Sequence, residues 1–396
     1  MTENHYEALG ASSSKSGLHR ALESAGVQPD SRFFASINSD LAGESKFSSF
    51  IHCDGAGTKS LIAYLNFVET KDPSSFSGLA QDALVMNLDD VYCLGPADAL
   101  LAANAIARNP RLITDDAVSA IILGYKQIIE KLSAMGISIE LSGGETADCP
   151  DVVRTLLVDA VITGRITNAN LINANSIQPG DVIVGLSSTG QASYEDFPNS
   201  GISSNGLTLA RHALLSKHYL TSFEESRDPH LDSSLVYRGP FRLSDCPNEL
   251  DMNIGRALLS PTRTYAPVLS AIYKAMHGKI HAAIHNTGGG QTKVLRFGGP
   301  GLLFRKTSLF DIPPLFALIQ KHGNVSWKEM YQVFNMGHRM ELYLAKDDAA
   351  SAIDIADKFG LKAKIVGHVE NKPSAITPKN TVILETPHGM YTYELS

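Results

Sequence analysis

Five short segments hold residue types suited to chemistry on a phosphorylated ligand. The first is Asp54-Gly55-Ala56-Gly57-Thr58-Lys59. Gly55 and Gly57 let the backbone approach a ligand closely, and successive N–H groups can face an anion. Thr58 and Lys59 follow, Lys59 as a point charge suited to phosphate, while Asp54 is a hard oxygen donor of the kind Mg²⁺ takes. The spacing is not that of a Walker P-loop, and a tight strand-to-loop turn reads the same way. The second segment, residues 77–94, carries Asp82, Asp89 and Asp90 among apolar neighbours. Seven- and eight-residue steps bring these carboxylates close to one helical face. A divalent metal is one partner that would satisfy them, as would salt bridges or local caps. The third segment is Ser142-Gly143-Gly144-Glu145, a β-turn or a loop that presents Glu145 to a cleft. The fourth, Ser203-Ser204-Asn205-Gly206, opens a helix; Ser204 and Asn205 suit a cap, and equally a phosphate or sugar. The fifth is His285-Asn286-Thr287-Gly288-Gly289-Gly290. Three glycines in a row point to close backbone approach. His285 is either a proton carrier or a hydrogen-bonded histidine at a strand end. Together the five segments point to an ATP–Mg²⁺ and phosphate site.

The elements that must position them alternate between strand and helix. Strands are expected at 49–54, 97–108, 138–141 and 152–166, with helices at 77–94 and 114–135. In the latter, Val118, Ile121, Ile122, Tyr125, Ile128, Ile129, Leu132 and Met135 recur at steps of one to four and form one stripe. The polar stretch 173–181, with its Pro-Gly turn, marks a boundary, giving domains 1–176 and 177–396. Beyond it come strands at 182–186, 280–284, 340–345, 364–369, 382–385 and 390–393. Helices are expected at 205–215, 262–276, 314–321, 326–334 and 347–359. Residues 224–248 look like a surface insertion. Both halves are α/β.

With 396 residues, 43% of them hydrophobic and 19% charged, the chain can bury a substantial core. A net charge of −7 disfavours nucleic acid as a partner but leaves room for a local anion site. Cys53, Cys93, Cys149 and Cys246 form no C-x-x-C pair, so reduced thiols and a cytoplasmic protein are expected. The start of the chain lacks a signal peptide's apolar stretch, and no run is long enough to span a membrane.

The series DGAGTK (54–59), SGGETAD (142–148), GISSNGLTLAR (201–211), LLSPTRTY (258–265), IHAAIHNTGGG (280–290) and GNVSWKEMYQVFNMG (323–337) resembles the phosphoribosylformylglycinamidine cyclo-ligase family, also called AIR synthetase or PurM. The resemblance spans most of residues 45–345. It implies a two-domain AIR synthetase-like α/β (α+β) fold, with the N-terminal sheet pairing across a homodimer and the active site between domains. It also implies ATP-dependent ring closure of formylglycinamidine ribonucleotide to aminoimidazole ribonucleotide, with ADP and phosphate released. The γ-phosphoryl group activates the formamide oxygen, and the amidine nitrogen then displaces phosphate. On this reading Asp54, Asp82 and Asp90 hold Mg²⁺. Asp54, Lys59, Asp90 and His285 are catalytic. Gly55, Gly57, Thr58, Lys59, Gly143, Gly144 and Glu145 bind the nucleotide. Ser204, Asn205, His285, Thr287, Gly288, Gly289 and Gly290 bind substrate.

This chain departs from the family pattern in places. Ser203 stands where the family commonly has histidine, and Asp89-Asp90 where an Asn-Asp pair is usual. The stretch after Gly95 lacks the usual acidic residue, and residues 10–17 are unlike the usual start, although Lys15 there would suit a phosphate. Two other readings stand: another ATP-dependent kinase or synthetase of the same superfamily, and a non-catalytic nucleotide-binding protein.

Overall fold

The computed structural model describes residues 4–12, 16–26, 30–372 and 379–395. Lys15 lies outside the described residues. In chain order the elements are α1 (His5–Ala8), α2 (Ser16–Ser24), β1 (Ile37–Ser39), β2 (Phe47–Gly55), α3 (Lys59–Thr70), α4 (Ser77–Tyr92), β3 (Ala99–Arg108), α5 (Asp115–Ala134), β4 (Ile139–Asp148) and β5 (Leu156–Thr167). There follow β6 (Val182–Ser187), β7 (Thr189–Gly190), β8 (Asn199–Ser200), α6 (Leu207–Leu214), α7 (Lys217–Ser222), α8 (Ile254–Leu259), α9 (Ala266–Ala275) and β9 (Ile280–His285). The chain closes with β10 (Leu302–Lys306), α10 (Pro314–Gly323), α11 (Trp327–Val333), β11 (His338–Leu344), α12 (Ala349–Asp357), β12 (Ala363–Asn371), β13 (Thr381–Thr386) and β14 (Gly389–Glu394).

Two sheets organise these elements. The first runs β1-β2-β5-β3-β4, and the second β14-β13-β10-β12-β6-β11-β9. Each is antiparallel except for one parallel pair, β3 with β4 and β10 with β13. Residues alternate across each strand, so one face of the first sheet receives Phe50, Ala102, Val158, Ala160 and Ile162, all buried. The other face carries Ile51, Leu101 and Leu157, which remain 63%, 44% and 40% exposed. Ile51 and Leu101 both lie opposite Thr163, so they form one row across three strands.

Helix α4 lies between the sheets, in contact with β2 and β5 on one side and with α9 and β9 on the other. Thirteen of its sixteen residues are buried. A helix with no solvent face must supply a partner for every polar side chain it carries. Its apolar residues and its three carboxylates thus fall under the same demand.

Several elements differ from the sequence expectation for identifiable reasons. Helix α3 begins directly at Lys59, where a loop was expected; its residues Ile62, Ala63, Tyr64 and Leu65 are buried. Strand β4 runs on from Ile139 to Asp148, through Gly143 and Gly144, because residues 100–108 of β3 pair with it on both sides of a bulge at Ser142. The turn or loop expected at Gly143–Glu145 is therefore extended strand. Helix α9 starts at Ala266 and not at residue 262, because Pro267 has no N–H to give and is tolerated only in a helix's first turn; the backbone N–H groups of Thr262 and Tyr265 go to carboxylates of α4. Strand β5 starts at Leu156, four residues later than expected.

Candidate functional site

Asp82, Asp89 and Asp90 each find partners, and the partners come from both halves of the chain. Asp82 Oδ1 accepts from Lys59 Nζ at 2.7 Å, from Thr262 N at 2.8 Å and from Thr262 Oγ1 at 2.6 Å. Lys59 Nζ also donates to the Ser260 carbonyl at 2.5 Å. Both side chains are buried, and burial pulls the Lys59 pKa down against the opposing charge of Asp82. Asp89 accepts from Thr264 Oγ1 and Tyr265 N, each at 2.9 Å, and pairs with Arg339 at 3.2 Å. Burial raises the Asp89 pKa in spite of Arg339.

Asp90 sits between two histidines. Its Oδ1 is 2.6 Å from His285 Nδ1, and its Oδ2 is 3.4 Å from His52 Nε2. Burial alone would raise the Asp90 pKa; the hydrogen bonds and charges of His285 and His52 outweigh it and hold the group well below the usual carboxylate range. His52 Nδ1 meets Asn87 Oδ1 at 2.9 Å. The orientation of that amide is determined by its other end, because Asn87 Nδ2 donates to the carbonyls of Asp54, Ala83 and Ala160 at 2.9–3.0 Å. Both nitrogens of His52 therefore face acceptors. Burial opposes the charge on this ring, but Asp90, Asn87 and Asp54 together raise its pKa to about 9. His285 is fully buried, and its Nε2 has no hydrogen-bond partner.

The loops meet around this buried row. Thr208 Oγ1 donates to Thr58 Oγ1 at 3.2 Å, and a Cβ placed on Gly57 would lie 3.8 Å from the Ser204 carbonyl. Ser204 Oγ is 3.3 Å from Thr262 Oγ1. The Asn205 side-chain amide bonds Thr287 Oγ1, and a Cβ on Gly288 would come within 4.0 Å of Asn205 Oδ1. The contacts close a ring: residues 54–58 to 204–208, then to 285–288, then through Asp90, His52 and Asn87 back to Asp54. Ser203 is buried, and its hydroxyl accepts from Asn205 N at 3.5 Å, a local turn at the helix start.

Two glycines are required for reasons the sequence did not show. A Cβ on Gly55 would fall 1.7 Å from Asp159 Oδ1, so only glycine lets that carboxylate lie against β2. Gly290 has φ +51°, and its Cβ would meet the carbonyl oxygens of Tyr331 and Phe334 at 2.5 Å. The backbone that Gly290 approaches is thus the protein's own, while Gly288 at the other end of the triplet borders Asn205.

Two parts of the expected site are arranged differently. Lys59 and Asp82 face each other inside the protein, so neither the phosphate-facing lysine nor the metal-facing aspartate is realised in this geometry. The reason is that an unpaired charge on a fully buried helix face is far costlier than a paired one. Gly143, Gly144 and Glu145 lie on the edge strand β4, three strand spacings from β2, or about 14 Å. Nor do the carboxylates fit one magnesium ion. Asp90 is taken up by two imidazoles, Asp82 by Lys59 and Thr262, and among the described residues no group of three or more His, Cys, Asp or Glu is placed to hold a metal. Asp54 is half-buried, beside Asp159, whose pKa is raised by burial and by the charge of Asp54. His52, Asn87 and Thr262 were not anticipated. For His52 a signal existed: it shares a strand face with Asp54, two residues on.

Known proteins resemble this chain in sequence and in fold. The family model for the AIR synthase related protein N-terminal domain matches residues 41–166, and that for its C-terminal domain matches residues 178–377. The chain belongs to the AIR synthase related family. It is 31% identical to the phosphoribosylformylglycinamidine cyclo-ligase of Myxococcus xanthus, over 80% of this chain and 79% of that protein. It is 28% identical to the enzyme of the same name from Methanococcus vannielii, over 89% of this chain and 87% of that one. Solved structures of the same fold include HypE in a HypE–HypF complex, with a TM-score of 0.54 at 11% identity over 96% of this chain and 99% of that one. Thermotoga maritima PurL complexed with ADP gives a TM-score of 0.51 at 14% identity; 96% of this chain covers 53% of that chain, about half its length. These two are likenesses of fold.

Among the described residues, no helix is long and apolar enough to cross a membrane.

Proposed function

We propose that this chain is an ATP-dependent cyclo-ligase that closes formylglycinamidine ribonucleotide to 5-aminoimidazole ribonucleotide in purine biosynthesis, releasing ADP and phosphate. The observation that carries this reading is the closed ring of contacts joining residues 54–58, 204–208 and 285–288, in a family member whose similar relatives bear the cyclo-ligase name. The first half, 1–176, is the nucleotide side, and the second half, 177–396, the substrate side.

The residues divide the work by chemistry. Backbone N–H groups at Gly57 and Thr58 suit the nucleotide's phosphates, while the Gly55 N–H is taken by Asp54 Oδ1 at 2.7 Å. Ser204, Asn205, Thr287 and the backbone of Gly288 and Gly289 suit the ribose phosphate and the formamide. Ring closure joins two groups of one molecule, so orientation is the main requirement. The formamide oxygen takes the γ-phosphoryl group, the amidine nitrogen forms the new C–N bond, and the C–O bond to phosphate breaks. His285, held through Nδ1 by Asp90, carries its Nε2 as the one ring nitrogen left to exchange a proton. Lys59 supports the loop from below. Mg²⁺ accompanies ATP as its counter-ion, with Asp54 as the carboxylate at the loop's start. The nucleotide role of Gly143, Gly144 and Glu145 requires the bare face of the first sheet to meet a second copy, which brings another subunit's loops over this edge. A homodimer in the cytoplasm is the form in which we place the enzyme.

The test is a direct assay. Purified protein with ATP and Mg²⁺ is expected to convert formylglycinamidine ribonucleotide to the aminoimidazole with one ADP per ring closed. ADP formation only with a different acceptor would replace this reading with a kinase of the same fold. Absence of nucleotide binding by calorimetry would replace it with a non-catalytic scaffold.

A further inference from the structure

A cavity of about 340 Å³ opens between the two halves, away from the ring of contacts described above. Its floor is apolar, formed by Ile128, Met135, Met252 and Leu259. One wall is α3 at Asn66 and Thr70. These residues stand seven and eleven positions beyond Lys59, about 10–16 Å along the helix axis from the site end. The inner wall is Ser260–Pro261, the segment that on its other side receives Lys59.

The mouth has a specific chemistry. Phe197 is 65% exposed, and the Arg256 guanidinium lies 5.4 Å from its ring centroid. The other charges at the rim are paired: Lys131 with Asp196 at 2.7 Å, and Glu195 with Arg263 at 2.5 Å. Among the described residues no carboxylate pairs with Arg256. An exposed aromatic face offers a stacking surface for a planar ring, methionines adapt to its edge, and an unpaired guanidinium suits an acidic substituent. The volume lies in the range of small-ligand pockets.

We propose that this cavity is a second ligand site, which takes a planar aromatic or heteroaromatic ring bearing an acidic group, up to about the size of a nucleoside monophosphate. The ring lies between Phe197 and the methionines, and the acid meets Arg256. The site is separate from the one proposed for catalysis and stands whether or not that reading holds. An acidic ring of this kind could be a nucleotide or an aromatic carboxylate, and the two are separated by the probes.

The experiment is calorimetric titration of the full chain with AMP and, separately, with indole-3-acetate. It is repeated on Phe197→Ala, Arg256→Gln and Asp54→Asn, with the melting temperature recorded for each. Phe197 and Arg256 are both exposed, so both variants are expected to melt with the parent. At least one probe should bind, with affinity reduced tenfold or more by Phe197→Ala and by Arg256→Gln and unchanged by Asp54→Asn. AMP alone binding assigns the site to nucleotides; indole-3-acetate binding as well assigns it to aromatic acids generally. No binding of either probe at about 5 mM would overturn the proposal. So would binding that survives both cavity variants, or that is lost only in Asp54→Asn, since AMP would then occupy the catalytic site.

Discussion

His52, Asp90 and His285 form a row of three groups drawn from β2, α4 and β9. The row links the two sheets and makes the fold sensitive to pH in both directions: Asp90, held below the usual carboxylate range, loses its contribution as the pH falls, and His52 as it rises. The His52 pKa of about 9 lies above its ordinary 6.5. A group raised in this way contributes fully at a pH below its unfolded value and loses the contribution as the pH rises through the folded value. Stability attributable to His52 should therefore be intact near pH 6 and decline between about pH 6.5 and 9, by about 3 kcal/mol in all. His52→Gln keeps a polar side chain but cannot titrate. Urea denaturation across this range should show the decline in the parent and a flatter profile in the variant. Equal slopes in both would remove His52 from this role. Lys59 and Asp82 belong to the same scale: their pairing accounts for a lysine that the glycine-rich loop by itself would assign to phosphate.

At the level of elements, the triple-glycine bend after β9 serves two purposes at its two ends. Gly290 is pinned against the end of α11, whose carbonyl oxygens leave no room for a Cβ. Gly288 has φ +56° but space around it, bordering only Asn205. Gly290→Ala should thus destabilise the protein by well over 1 kcal/mol, from steric overlap added to left-handed strain. Gly288→Ala should lower stability by about 1 kcal/mol and act chiefly on KM for the ribonucleotide. Thermal melts paired with steady-state kinetics separate the two; the reverse order of melting temperatures would show that the bend is held from its other end. The same logic explains why α9 begins late. Pro267 lacks an N–H and its ring would clash with the turn before it, so the helix cannot reach back to Thr262, and the N–H groups of Thr262 and Tyr265 are left to the α4 carboxylates.

For the whole molecule, the first sheet is covered by helices on one face and bare on the other. Ile51 and Leu101, on either side of Thr163, leave exposed apolar side chains on this bare face, which a second copy can cover by symmetric pairing. Light scattering should give twice the mass of one chain for the parent and the mass of one chain for Leu101→Glu. A parent that scatters as a single chain at micromolar concentration would leave this face without its proposed cover.

Much of the site was readable before any coordinates. The alternation of strands and helices and the acidic positions on α4 are local properties, set by residue type and spacing; the helix that begins at Lys59 and the strand through Gly143–Glu145 are the exceptions. Glycine-rich DGAGTK and HNTGGG segments also meet Ser204 and Asn205, as their chemistry suggested. What spacing could not supply was the partner of each charge. Asp82 meets Lys59, Asp89 meets Arg339, and Asp90 meets His52 and His285, over separations of up to 250 residues. Nothing local distinguishes a carboxylate that will bind a metal from one that will bind a buried lysine. The same holds for Gly143–Glu145, where the pairing of β3 turned an apparent loop into strand. The amino-acid sequence by itself determined which residues could act and which elements carry them. Tertiary structure alone decided which charges neutralise one another, because the cost of burying an ion is settled by whichever distant group arrives beside it.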